Sequence, residues 1–411
     1  LPLPILSFTI YKLSRIINEK STLVQEVLSK MSSSAQESFS GIAVIKSYNL
    51  HSKIYNKFND LAIESYQKNM SLVKVQAWFF PLMILLIGCS NLIVIYIGGN
   101  QYINNEIEIG VLAEFIIYVN MLTWPVAVVG WITSIVQQAE ASQKRINSFL
   151  KEQPEIIDGK GVDKFIKGEI ELNNVSLLYP ETQIEALKGV SLKISKGSTV
   201  GIIGNIGSGK SSILDIISRL YDPSKGSIKL DGVDMKEYTL DQIRENIGYI
   251  PQNAFLFSES IEDNIRFGAQ KIELKDIKEA SKKAAVHQNI ISFKDSYDTL
   301  LGERGVTLSG GQIQRISIAR ALIKNSKILL LDDCLSAVDT DTEEEILKNL
   351  KNFTTKKTTV IVSHRISSLK HADKIIVLEN GEIIQQGKHS DLIESKGYYK
   401  ELFEKQQTEK A

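Results

Sequence analysis

Cysteine is nearly absent from this chain, proline is sparse, and neither sign of charge is in excess. Cys89 and Cys334 lie in different regions with no Cys-x-x-Cys spacing. That excludes a disulfide framework and a thiolate metal centre, and it suits a reducing compartment. Lysine plus arginine total 48, as do aspartate plus glutamate, so no overall charge draws the chain to a polyanion, and no nucleic-acid partner is expected. Internal repeats and low-complexity tracts are missing too. An initiator Met is also lacking: Leu1 opens inside an apolar stretch, so an N-terminally incomplete protein is expected and the lack of a signal peptide carries no information. With 411 residues the chain has room for two domains or more.

Its apolar residues are unevenly spread. Leu1–Tyr11 reads as the cytoplasmic end of a membrane helix. From Lys12 to Lys74 the sequence is polar but keeps helical spacing, as in Leu13, Ile16, Ile17 and then Leu23, Val24, Val27, Leu28, Met31. Two helices of about 30 residues, each about 45 Å long, are expected there, turning near Gly41–His51. Trp78–Gly99 and Gly110–Val136 are each apolar and long enough to cross a bilayer, the second with Trp124-Pro125 as an expected kink. The segment between them carries Glu106 and Glu108 but no Lys or Arg, whereas Lys68, Lys74, Lys144 and Arg145 flank the outer ends. The positive-inside tendency makes that short segment external and the rest cytoplasmic. Glu114 and Asn120, inside the second span, either face a transport pathway or make a helix–helix hydrogen bond, with Glu114 near the interface; the second alternative is favoured. Arg145–Lys167 has the Pro, Gly and charge content of a linker.

From Gly168 the texture changes to alternating strands and helices, which predicts an α/β sheet domain with an antiparallel portion. Expected strands are 169–176, 190–194, 226–230, 328–331, 360–362 and 374–377, with a charged terminal helix over 398–411. Within this domain, Ser198–Ile203 reads as an apolar strand, followed by Gly204-Asn205-Ile206-Gly207-Ser208-Gly209-Lys210-Ser211-Ser212 and a helical pattern. Strand, glycine loop, Lys-Ser, helix is the context of a phosphate-binding P-loop. Its glycines let successive N–H groups turn inward as an anion nest, and the helix adds its positive end. Lys210 can reach the β- and γ-phosphates and the Ser211 hydroxyl can ligate Mg²⁺. Ile328–Asp332 is an apolar strand ending in an acid, suited to holding Mg²⁺ at a sheet edge. Leu308-Ser309-Gly310-Gly311-Gln312, before a helix expected near Ile313, is a second loop-to-helix anion site. Two phosphate-binding loops for one nucleotide are economical if the second closes on the nucleotide of a partner subunit.

These motifs resemble, in content and order, the C-terminal part of an ATP-binding cassette (ABC) exporter half-transporter. The resemblance implies a partial all-α transmembrane domain over residues 1–150, a linker at 151–167, and an α/β P-loop cassette over 168–411. It implies ATP and Mg²⁺ as ligands. Tyr179 matches the aromatic that stacks on adenine, Gly204–Ser211 the Walker A loop, and Gln252 the Q-loop glutamine that contacts Mg²⁺ and couples to the membrane domain. Gly302-Glu303-Arg304-Gly305 is similar to the exporter X-loop, Ser309–Gln312 to the signature motif, Asp332 to the Walker B acid, and Ser336–Asp339 to the D-loop. His364 matches the switch histidine that senses the γ-phosphate, and Gly41–Leu50 resembles a coupling helix that docks on the opposite subunit. Localisation in the cell membrane, multi-pass with a cytoplasmic cassette, follows from the same resemblance.

One position departs from the family pattern. Where the family places a glutamate that polarises the attacking water, this chain has Asp333. The carboxylate is shorter by about 1.5 Å, and a misplacement near 1 Å can cost on the order of 10²-fold in rate. Such a change resembles the slow-site subunit of heterodimeric exporters, so a heterodimer is favoured over a homodimer. The expected activity is ATP-driven export of a small molecule, drug, lipid or peptide. A nucleotide-gated channel or regulatory membrane subunit is the alternative. A soluble cassette ATPase acting on DNA or ribosomes would carry a long coiled-coil insertion or two cassettes, and neither is present.

Overall fold

The computed structural model describes residues 2–269, 272–302, 308–354 and 357–408, and divides into two compact units, Leu1–Gln153 and Pro154–Ala411. The first unit is wholly helical: α1 (Pro2–Ser40), α2 (Ile42–Ser47), α3 (His51–Ile103) and α4 (Ile109–Lys151). α1 packs along both α3 and α4. Its buried stripe contains Val24, Val27 and Ser34, at intervals of three and seven, while Leu23 and Leu28 fall off the stripe and are exposed. The expected turn is the short helix α2, entered at Gly41 and left through Asn49 at φ 52°, with Ile45 buried and Ile42, Val44 and Tyr48 exposed.

Two features of this unit differ from the sequence-based expectation. The polar helix beginning near His51 and the apolar span at 78–99 are one unbroken helix of 53 residues, with Pro81 inside it. Likewise α4 continues through Pro125 to Lys151, so residues 145–151, expected as the start of a linker, are helical. Residues 137–151 contain no Gly or Pro and many strong helix formers; Pro154 is the first residue that disfavours the α conformation before it. Among the described residues, α3 is the helix long and apolar enough to cross a membrane, with mean hydropathy 2.3 over its most apolar 18 residues and only 6% of that stretch buried. Ile84, Leu85, Leu92 and Ile97 point outward, as lipid-facing side chains would. Asn120 donates to the Ile116 carbonyl at 2.9 Å and accepts from Asn91 of α3 at 3.4 Å, the helix–helix bond favoured above; Glu114 accepts from the Tyr118 hydroxyl.

The second unit begins with β1 (Ile170–Leu178), β2 (Glu185–Ile194), β3 (Thr199–Gly204), α5 (Lys210–Ile217), β4 (Lys225–Leu230) and β5 (Val233–Asp234). Next come α6 (Leu240–Glu245), β6 (Ile247–Ile250), α7 (Ile261–Arg266), α8 (Leu274–Lys283), α9 (His287–Ile291) and α10 (Gly310–Ile323). It ends with β7 (Ile328–Asp332), α11 (Thr340–Thr354), β8 (Thr358–Val362), β9 (Lys374–Glu379), β10 (Glu382–Gly387), α12 (His389–Glu394) and α13 (Tyr398–Thr408). An antiparallel sheet has the order β2-β1-β4-β5, and a second has the order β10-β9-β3-β8-β7-β6, parallel except at β10.

The two-residue period of the central strands splits their side chains between two cores. Ile203, Leu329, Leu331, Ile361, Ile375 and Val377 meet the helices α7, α8, α10, α11 and α13. Their neighbours Ile202, Leu330, Val360, Val362 and Ile376 meet α5 and the antiparallel sheet. That is why β7 and β8 are buried at every position and read as unbroken apolar or Thr-Val runs rather than alternating ones. Each such fully buried aliphatic contributes about 1.5–3 kcal/mol. Residues 154–167, expected as linker, lie along this unit. Ile166 is buried, and the Asp231 carboxylate accepts from the backbone N–H groups of Lys167, Gly168 and Glu169 at 2.7, 3.2 and 3.1 Å.

Candidate functional site

The C-terminal edge of the parallel strands β3, β7 and β8 opens onto a cavity of about 670 Å³, where a doubly wound sheet exposes its loops. β3 delivers the loop 204–209, which turns sharply into α5. A Cβ at Gly204 would lie 2.0 Å from the Leu378 carbonyl oxygen, and one at Gly209, at φ 93°, 2.4 Å from that of Ala186; no other residue type fits either position. Ile206, Gly207, Ser208, Gly209, Lys210, Ser211 and Ser212 line the cavity. Gly204 and Asn205 stand behind it, their carbonyl oxygens accepting from the Lys210 ammonium at 3.0 and 2.7 Å. Burial pushes the Lys210 pKa down, opposed by the carboxylates of Asp333 and Asp332.

β7 delivers both acids. Asp332 is 4% exposed; burial raises its pKa, and the neighbouring Ser211 hydroxyl opposes that rise. Asp333 sits at φ 41°, its N–H donating to Val362 at 2.9 Å and its carbonyl accepting from the Ser336 hydroxyl at 2.9 Å. From the end of β8 comes His364, whose carbonyl accepts from Gln406 of α13 at 2.7 Å. Gln252, just after β6, lines the cavity from another side. Tyr179 also lines the cavity, half-buried, its ring perpendicular to that of Tyr221 with the centroids 4.9 Å apart.

One polar atom here lacks a partner: the buried hydroxyl of Ser208, within the glycine loop. A buried hydroxyl without a hydrogen bond is costly, and this one belongs to the loop that lines the cavity. The oxygen set of Ser211, Asp332 and Gln252 suits a hard cation such as Mg²⁺.

The structure therefore gathers Tyr179, the loop 206–212, Gln252, Asp332, Asp333 and His364 around one cavity, and leaves Ser309, Gly310, Gly311 and Gln312 outside it. Those four form the first turn of α10, which starts at Gly310 rather than near Ile313. Ser309 and Gln312 cap one another: the Gln312 N–H donates to Ser309 Oγ at 3.3 Å and the Ser309 N–H to Gln312 Oε1 at 2.9 Å. The D-loop lies close by, with Ala337 N–H donating to Gln314 Oε1 at 3.1 Å. Of the X-loop, Glu303, Arg304 and Gly305 lie outside the described residues. Sequence reasoning missed Ile184, Lys188 and Asn380, which line the cavity with no motif to mark them. It also missed Asp215, whose acid in an otherwise apolar helical run, Ile213-Leu214-Asp215-Ile216-Ile217, was a usable signal.

Comparison with known proteins matches this geometry to a family. Residues 187–336 match the ABC transporter family and residues 2–126 the ABC transporter transmembrane region. The multidrug resistance-like ATP-binding protein MdlA of Buchnera aphidicola is 39% identical over 407 residues, 99% of this chain and 70% of that protein. The probable multidrug resistance ABC transporter ATP-binding/permease protein YheI of Bacillus subtilis is 38% identical over 408 residues, again 99% of this chain and 70% of the relative. A bacterial Atm1-family ABC exporter solved with ATP bound superposes with a TM-score of 0.89 at 26% identity, covering 99% of this chain and 72% of that one. The chain belongs to the ABC exporter family, with a transmembrane domain and an ATP-hydrolysing cassette in one polypeptide.

Proposed function

We propose that this chain is one half of a dimeric exporter whose cavity takes Mg²⁺-ATP and whose signature turn completes the site of a second subunit. Exporters of this family act as dimers. Tyr179 meets the adenine, the 204–212 loop and Lys210 the phosphates, and Ser211, Gln252 and Asp332 surround the metal; His364 stands at the γ-phosphate end. Mg²⁺ supplies charge neutralisation between the phosphates when bound. Two facts carry this assignment together: the unpartnered Ser208 hydroxyl inside the cradle, and the Ser309–Gln312 turn outside it. A phosphate-binding turn that cannot serve its own nucleotide serves another molecule's.

Asp333 supports the finer assignment, a slowly hydrolysing site in a heterodimer whose partner does most of the turnover. The protein sits in the cell membrane, multi-pass, with its cassette in the cytoplasm. The multidrug names of its relatives support a small-molecule cargo. The test is ATP photolabelling and ATPase measurement on the reconstituted complex. Lys210→Ala abolishes labelling of this chain, whereas Asp333→Gln leaves labelling intact and changes turnover less than about two-fold. A wild-type chain that retains no ATP defeats the assignment. Loss of turnover with Asp333→Gln as complete as with the matching change in the partner defeats the slow-site part. ATP binding without cargo movement would point instead to a channel or regulatory subunit.

A further inference from the structure

Asp215 stands out as an acid on a helix otherwise given to the core: Ile213, Leu214, Ile216 and Ile217 of α5 are all fully buried. Burial raises the Asp215 pKa, so keeping a carboxylate here costs stability that an apolar residue would not. What it does with that carboxylate is specific. The Tyr179 hydroxyl donates to Asp215 Oδ2 at 3.2 Å and lies 2.9 Å from Ser212 Oγ. A phenol has a single proton, so with Asp215 accepting it, Ser212 is the donor to the phenol oxygen. On the other side the Tyr249 hydroxyl stands 3.5 Å from Asp215 Oδ1, on the strand that runs into Gln252. The Tyr179 ring is thus held at its hydroxyl from α5 and packed perpendicular to the ring of Tyr221, at an interplanar angle of 90°. These constraints fix the plane of the ring that lines the cavity wall.

We propose that Asp215 is a positioning residue for base recognition: it holds Tyr179 by the phenol so that the ring presents its face to a planar base while the glycine loop takes the phosphates. The proposal rests on the ATP assignment of this cavity. It makes the base-stacking part of the affinity depend on Asp215 and leaves the triphosphate part independent of it. A residue that merely supported α5 would weaken both, since Lys210, Ser211 and Ser212 lie on the same helix.

The experiment uses the full chain with its partner subunit in detergent, in the cold. Photolabelling of this polypeptide by 8-azido-ATP is competed with ATP or with inorganic tripolyphosphate. Asp215→Leu and Tyr179→Phe are each expected to weaken ATP by about 5- to 30-fold, the lower part of what losing a base–aromatic stack costs. Tripolyphosphate stays within about two-fold of wild type in both variants. The double variant binds ATP no more weakly than either single one, and Asp215→Asn, which still accepts from the phenol, keeps the wild-type affinity. Equal weakening of tripolyphosphate, additive losses in the double variant, or unchanged ATP binding in Tyr179→Phe overturns the proposal. Tyr179→Phe gives the answer even where Asp215→Leu does not fold. Failure of ATP to compete in the wild-type chain would instead remove the ATP assignment, a different outcome from any of these.

Discussion

Asp333→Glu should speed ATP hydrolysis at this chain's own site by as much as about 10²-fold, because the structure leaves no other way to recover the missing methylene. The backbone at Asp333 is pinned on both sides. Its N–H donates to Val362 of β8 at 2.9 Å, and its carbonyl accepts from the Ser336 N–H at 3.3 Å and from the Ser336 hydroxyl at 2.9 Å. Its φ of 41° is a left-handed conformation that Asp tolerates better than most residues. A Cα held this way cannot advance toward the cavity, so the carboxylate stays short by about one C–C bond, or about 1.5 Å. Restoring that length returns the carboxylate to hydrogen-bond reach of a water at the γ-phosphate end. The assay is single-turnover ATP hydrolysis by the reconstituted complex, with the partner's catalytic carboxylate neutralised so that only this chain's site contributes. Asp333→Gln is the control and should lie at or below the wild-type rate. An unchanged rate in Asp333→Glu, with ATP affinity intact, would refute reach as the basis of the proposed slow turnover.

Three further outcomes are expected. Gln406→Leu removes two hydrogen bonds that hold the His364 segment, one to the His364 carbonyl at 2.7 Å and one from the Ile366 N–H at 3.0 Å; single-turnover hydrolysis at this chain's own site, with the partner's site disabled, should slow several-fold with ATP affinity within about two-fold. Glu343, 2% exposed, accepts from Arg365 at 2.6 Å and from Ser368; Glu343→Ala should cost about 2 kcal/mol, less than a fully buried pair because the Arg365 side chain is 42% exposed. Thermal unfolding of the detergent-solubilised chain would register this as a Tm drop of about 4–8 °C. Burial, with Lys370 adding, holds the His389 imidazole below its usual pKa, beside the Tyr399 hydroxyl at 2.8 Å. The folded state therefore binds fewer protons there, so its contribution to stability is present above about pH 6.5 and is lost as pH falls below it. His389→Gln should flatten that part of the Tm–pH curve.

Much of the site was legible because phosphate chemistry dictates spacing: Gly204, Gly209, Lys210 and Ser211 can be recognised without knowing what surrounds them. The strands β7 and β8 were legible because burial on both faces removes polar residues from a central parallel strand. β6 was not, being four residues long with Gly248 inside it, where a Cβ would stand 2.8 Å from the Ser326 hydroxyl. The start of α10 was misplaced because Gly310-Gly311 reads as loop by propensity, while the reciprocal Ser309–Gln312 cap that overrides it was written in the Ser-x-x-Gln spacing. In the helical unit, the change from polar to apolar composition near Trp78 masks the continuity of one helix. Gln406 and Glu343 were out of reach for another reason. Their partners lie 42 and 22 residues away, and no local pattern encodes a contact made by folding.

The unbroken course of α3 has a mechanical corollary. At 1.5 Å per residue its 53 residues make a rod about 80 Å long. Swinging such a rod by about 5° about one tip sweeps the other through about 7 Å, more than a full helical pitch. Apart from Pro81, the rod has no interruption at which that displacement could be absorbed. Small angular changes at His51 thus arrive at Ile103 magnified rather than dissipated.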